Sequence, residues 1–163
     1  MQITIHHLYL SPDHNYFGHH GKPAGENPIV EREAIELVAG SGIVDDRFFD
    51  FKPDYKGQIT FFDYAIYERV RDEIVHGELS PSAFRRNVLI SGIDLNSLIG
   101  KTFTIGDLEF SGSAECSPCY WMDQACAPGT EEFLKGRGGL RARITKGGTL
   151  TTGRFDITEI TTS

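Results

Sequence analysis

The sequence predicts a mainly β domain of α+β character, a barrel or strongly curved sheet with a few helices attached. Three observations carry that expectation. Short apolar alternations recur along the chain, one segment alone shows sustained helical periodicity, and 18 of the 163 residues are glycine. Glycine averages near 7% in ordinary proteins, and the excess suits turns and close backbone approaches. At 18.2 kDa the chain has the length of one domain, able to bury about 70% of the surface its unfolded form exposes.

Taken in order, Ile3, Ile5, Leu8 and Leu10 predict an opening strand, and the polar stretch from Ser11 to Asn27, rich in Gly, Pro and His, predicts a long surface loop. Glu31 to Ala39 admits two readings: Ile35 and Val38 fit a helix, while the Gly40-Ser41-Gly42 stop allows an extended segment. Ile59 and Phe61 alternate with Gln58 and Thr60 as in a half-buried strand. A helix should follow. Asp63 is its N-cap, Ile66, Val70 and Ile74 recur on one face, Arg69, Asp72 and Glu73 lie away from it, and Gly77 stops it.

Val88-Leu89-Ile90 reads as a strand covered on both faces. Phe103 and Ile105, the turn Gly106-Asp107, then Leu108 and Phe110 predict a hairpin. If its second strand stays extended, positions 108, 110, 112, 114 and 116 share a face, which directs Cys116 inward or into a pocket at the strand's end. Ser117-Pro118 then breaks the ladder. Trp121 to Cys126 suits a short helix; Leu140, Ala142 and Ile144 predict a strand, and Gly147-Gly148 a turn into a last strand near Thr149 to Ile160.

Composition narrows the function. With 16 basic against 23 acidic side chains the net charge is −7, so nonspecific attraction to nucleic acid or an anionic membrane is not expected. No run approaches 18 apolar residues, and the first seven residues lack the charged and apolar regions of a signal peptide; a cytoplasmic protein is expected. Repeats and low-complexity linkers are absent.

All three cysteines, Cys116, Cys119 and Cys126, fall in one short window, unlike a secreted disulfide scaffold. A Cys-x-x-Cys turn lowers thiol pKa and offers soft metal ligands, although small buried hydrophobes are the simpler role. No second pair or nearby His completes a zinc set, because every His precedes residue 77. His14, His19 and His20 share a loop with Asp13 and Asn15, a grouping more often solvated than metal-bound.

From Lys135 to Lys146 five cations, with Arg137, Arg141 and Arg143 among them, stand beside glycines without an acidic residue. In an acidic chain this points to an anion such as phosphate, or to a solvated charged strand. Arg85-Arg86-Asn87 adds donors at a strand start. The Gly40-Ser41-Gly42 segment lacks the third glycine and the helix of a dinucleotide fingerprint.

Read together, Gly40 to Arg47, Gly57-Gln58-Ile59-Thr60, Phe84 to Gly92, Ile105-Gly106-Asp107 and Cys116-Ser117-Pro118-Cys119 resemble the MOSC domain, a family named after the C-terminal domain of molybdenum cofactor sulfurase. The likeness runs from about Gly40 to the C-terminus, with residues 1–39 as an N-terminal strand and loop extension of a single domain. It implies a β-barrel of the pyruvate-kinase type with peripheral helices, and the molybdopterin form of the molybdenum cofactor. In the amidoxime-reducing relatives the second Cys of this segment ligates molybdenum and the Arg-x-Asn contacts the pterin. The resemblance therefore marks Cys119 as metal or sulfur ligand and Arg85, Asn87 and Ser117 as cofactor contacts; strand parity makes Cys116 the runner-up ligand, Arg86 and Arg47 are expected as further cofactor contacts, and the cationic glycine-rich run offers Arg141 and Arg143 for its phosphate. Asp45 stands where the family usually has Gly, and Pro118 where those relatives have Arg.

Three functions follow as expectations. The first is an oxidoreductase reducing N–O or S–O substrates, fed by an electron-donor protein. The second is a sulfur carrier or transferase, with a persulfide placed on Cys119 by a cysteine desulfurase. The third is a non-catalytic module that binds or delivers the cofactor.

Overall fold

The computed structural model describes residues 1–12, 29–118 and 121–160. Among these residues eleven strands occur in chain order: β1 Gln2–Leu10, β2 Val30–Arg32, β3 Ala34–Val38, β4 Gly42–Ile43, β5 Ile59–Asp63, β6 Val88–Ser91, β7 Thr102–Ile105, β8 Leu108–Glu115, β9 Leu140–Lys146, β10 Gly148–Thr151 and β11 Gly153–Ile160. The main sheet runs β11-β7-β8-β9-β5-β6-β1-β2, and β11 also pairs with β1, which closes seven strands into a barrel. The pairs are antiparallel except β5 with β6. A smaller sheet, β10-β3-β4, stands beside it. No helix among the described residues is long and apolar enough to cross a membrane.

Alternation explains most of the barrel. Ile59 and Phe61 of β5, Val88 and Ile90 of β6, and Leu140, Ala142 and Ile144 of β9 project into one core with Phe103, Ile105, Leu108 and Phe110 of the predicted hairpin. Phe110 meets Phe61 edge-on at 5.5 Å between centroids and stacks on Phe103 at 5.4 Å. β1 keeps its apolar face inward only by a register shift between Ile5 and His7, so that Ile3 and Ile5, then Leu8 and Leu10, all reach the core. This strand, read from the sequence as part of an extension, pairs with both β6 and β11 and shuts the barrel.

Residues 34–38 are a strand. Ile35 and Leu37 are buried between exposed neighbours, a period of two that settles the ambiguity of this segment against helix. Gly147-Gly148 leads into β10, which pairs with β3, and only the next strand, β11, returns to the barrel; the single last strand expected there is two.

A second apolar cluster lies outside the barrel wall. Leu89 and Phe62, on the outward faces of β6 and β5, pack with Tyr67, Val70, Phe84, Met122 and Leu134, so β6 is covered on both sides as its composition requires. Helix α1, Tyr64–Arg69, starts at Asp63, whose carboxylate accepts from the Ala65 amide at 2.9 Å. It continues as a π-turn over Val70–Val75 and ends at His76 in the left-handed conformation, one residue before the expected Gly77 stop. The wider turn rotates the apolar face: Tyr67 and Val70 are buried, while Ile66 and Ile74 pack only partly. Two short helices complete this layer, α2 Trp121–Ala125 and α3 Thr130–Leu134.

Candidate functional site

The cysteine segment leaves the barrel at the end of β8, which stops at Glu115 as Ser117-Pro118 predicts. Strand parity does not carry Cys116 inward. A register shift between Gly112 and Ala114 sets Ala114 opposite Arg141 and Glu115 opposite the core residue Leu140, which reverses the face of everything beyond it. Gly112 permits this bulge, because a Cβ there would fall 2.1 Å from the Leu98 carbonyl oxygen.

Cys116 is nevertheless buried, at 4% exposure, beneath the glycine turn before β9. Its amide donates to the Gly139 carbonyl at 2.8 Å. A Cβ on Gly138 would stand 1.9 Å from the Cys116 oxygen, and one on Gly139 would stand 2.3 Å from the Phe61 oxygen. Two glycines are therefore what lets the chain pass between the cysteine segment and β5. Burial pushes the Cys116 thiol above the ordinary thiol range; Arg86 and Arg141 oppose the shift and Glu115 adds to it. One carboxylate oxygen of Glu115 is buried without a hydrogen-bond partner among the described residues. Ser117 is exposed. Cys119, with His14, His19 and His20, lies outside the described residues.

Arg85-Arg86-Asn87 sits directly before β6 and is woven into its surroundings. Asn87 Oδ1 accepts from the Thr60 amide and hydroxyl, both at 3.0 Å, and Nδ2 donates to the Tyr9 carbonyl at 3.1 Å. Arg85, with φ 55°, donates to Ser11 Oγ. Ser11, expected to open a surface loop, is fully buried, and its amide donates to Asp46 Oδ1 at 2.9 Å. Arg47 donates to that same oxygen and to the Arg85 carbonyl, both at 3.3 Å. Arg86 donates to the carbonyls of Gly138 and Phe84, each at 3.1 Å, and so ties the glycine turn to the start of β6.

Asp45 has φ 70°. The position that the family fills with Gly demands a left-handed backbone, and Asp is among the few other residues that adopt it.

The cationic segment disperses. Lys135 pairs with Glu132 at 2.7 Å, Arg137 stacks over Phe133 at 4.6 Å, and Arg143 pairs with Asp54 at 2.9 Å. Arg141 differs from these. It lies opposite Thr60, one strand from Asn87, and its guanidinium makes no hydrogen bond or ion pair with any described residue. With Phe51, Lys52, Asp54, Tyr55 and Lys56 it lines a cleft of about 560 Å³. The sequence identified Arg141 but missed Lys52, Tyr55 and Lys56, which lie in a segment without an ordered period; their only signal was basic and aromatic residues within six positions.

Cys126 packs with the outer cluster. Burial, with Asp123 beside it, pushes its thiol up to about 11, as befits a packing residue. No group of three His, Cys, Asp or Glu among the described residues is placed to hold a metal.

The architecture and its site together define a class: a small closed-barrel domain with a cysteine segment, guanidinium groups and an amide gathered where β5, β6, β8 and β9 come together. The chain belongs to the MOSC domain family, whose profile matches residues 19–155, and is a molybdenum-cofactor-associated domain. Its fold matches that of the YuaD protein of Bacillus subtilis, with TM-score 0.74, 17% identity and 96% of each chain covered. YiiM of Geobacillus stearothermophilus gives TM-score 0.67 at 11% identity, covering 98% of this chain and 75% of that one. YiiM of Escherichia coli gives 0.68 at 14%, covering 100% and 72%. No curated protein matches the chain.

Proposed function

We propose that this chain binds the molybdenum cofactor and acts as an oxidoreductase on N–O or S–O substrates, with Cys119 as the molybdenum ligand. The observation that carries the reading is the convergence of the cysteine segment with Arg86 and Arg141, one strand from Asn87 and Thr60. The donor set suits the group: a soft thiolate for the metal, and guanidinium and amide donors for an anionic pterin. The cofactor, when bound, supplies the redox centre for oxygen-atom transfer, and a partner protein supplies electrons.

The chain's own residues have separable tasks. Arg86 holds the glycine turn against the cysteine segment and fixes where that segment leaves the barrel. Cys116, kept neutral by burial, fills space beneath the turn; the ligand role of Cys119 rests on the resemblance to the amidoxime-reducing relatives. Arg85 and Asn87 would hold the pterin's surface, with Arg47 bonded to the Arg85 carbonyl, Arg141 opposite Thr60, and Ser117 exposed. Arg143 is held by Asp54 and serves the scaffold.

The test is molybdenum and pterin content of chain purified from a cofactor-competent host, wild type beside Cys119→Ser and Cys116→Ser. Stoichiometric molybdenum, lost in Cys119→Ser and kept in Cys116→Ser, is expected. Metal-free wild type that also refuses added cofactor would overturn the reading, and a +32 Da adduct on Cys119 after incubation with a cysteine desulfurase would replace it with a sulfur carrier.

A further inference from the structure

The cleft over residues 51–56 has properties that scaffold packing does not explain. Arg141 is half-buried and has given up part of its hydration without gaining a counter-charge among the described residues. Lys52 and Lys56 line the same cleft and add repulsion. Asp54, the one carboxylate among the described residues of its lining, is turned to Arg143 at 2.9 Å and is 81% exposed along its side chain. The lining is therefore a concentrated positive site in a chain of net charge −7.

The walls are held in place. Lys52 Nζ lies over the rings of Phe51 and Tyr55, at 5.8 and 5.4 Å from their centroids. Ser113 Oγ lies 2.6 Å from the Lys56 carbonyl and 2.9 Å from that of Arg141, which clasps the loop to β9. Burial raises the Tyr55 hydroxyl above the usual phenol range, so it stands as a neutral donor in the cleft. At about 560 Å³ the space suits a small molecule. A guanidinium fork, two ammonium groups and a phenol form a donor set matched to a tetrahedral dianion.

We infer that this cleft binds the phosphate group of a small-molecule ligand, on Arg141, Lys52 and Lys56. The inference needs only the cleft and stands or falls independently of the molybdenum reading. Isothermal titration of inorganic phosphate into the full cofactor-free chain should show one saturable site. Arg141→Gln should weaken it by about tenfold or more, and Lys52→Gln with Lys56→Gln by about threefold, with a shallower salt dependence. Arg141→Lys, which keeps the charge but loses the fork, should fall between. Absence of saturable binding, or an affinity unmoved by Arg141→Gln in a chain with wild-type circular dichroism, would overturn the inference. If Arg141→Gln fails to fold, the two exposed lysines decide: unchanged affinity in their double variant has the same force. Repeating the titration on cofactor-loaded chain separates the source. Retained binding supports a phosphorylated ligand distinct from the cofactor; lost binding returns the cleft to the cofactor's own phosphate, the role expected of Arg141 from the sequence, and overturns the inference.

Discussion

Two basic segments reach the same region of this barrel, and they spend their charge differently. Arg85-Arg86-Asn87 is short, and its side chains close hydrogen bonds to Ser11, Gly138, Phe84, Thr60 and Tyr9. Residues 135–146 look richer in sequence, yet Lys135, Arg137 and Arg143 are engaged by Glu132, Phe133 and Asp54, and Arg141 alone of its arginines faces a cleft without a partner among the described residues. The longer run holds fewer donors for a ligand than its charge suggests. What separates scaffold from ligand chemistry is whether a cation is both partly desolvated and unmatched.

That contrast can be broken at several points. The strongest effect should come from Gly138→Ala, because the new methyl would press on the Cys116 backbone and not on a movable side chain; a loss of at least about 4 kcal/mol in urea unfolding is expected. Asn87→Ala should cost about 3 kcal/mol, since it strands the Thr60 amide and the Tyr9 carbonyl beside a buried site. Arg143→Ala should cost under about 1 kcal/mol, as exposed ion pairs do. Arg141→Gln should stay within about 0.5 kcal/mol of wild type in stability while altering anion binding, which is the sharpest form of the comparison.

The thiols set a pH dependence. Folded Cys116 and Cys126 hold their protons more tightly than in the unfolded chain. Their contribution is therefore full below the unfolded thiol value of 9.0 and fades as pH rises above it, for Cys126 through about 11. Stability measured from pH 8 to 11 should decline, and replacing both cysteines with Ala should flatten the decline.

The barrel was legible where side-chain period and turn chemistry agree. Phe103 through Phe110 with Gly106-Asp107 gave the hairpin, and the continuous run Val88 to Ile90 gave a strand covered on both faces. Bulges were not legible, because an inserted residue alters parity without altering composition. At β1 the switch from Ile3 and Ile5 to Leu8 and Leu10 does betray one; in β8 the only trace was Gly112, so the parity that aimed Cys116 inward fails although the residue is buried as expected. The π-turn after Arg69 displaced the helical face for a related reason, one residue more per turn than the period assumes. At the site, residue types and order pointed to Arg85, Asn87 and the cysteines. Their commitments were hidden, since the partners Ser11, Thr60 and Gly138 come from distant stretches of chain.

Barrel closure has a consequence for how the protein is made. Gln2 of β1 pairs with Asp156 of β11, so during synthesis β1 waits for the intervening stretch of chain to follow. At about 5–20 residues per second that interval is on the order of ten to thirty seconds. Through it the growing chain carries an apolar strand with an unmet edge, a template for association with other nascent chains. Thr4, His6 and His7, which interrupt its apolar residues, make that edge less adhesive, and the ribosome must release the chain through Asp156 before the seam can close.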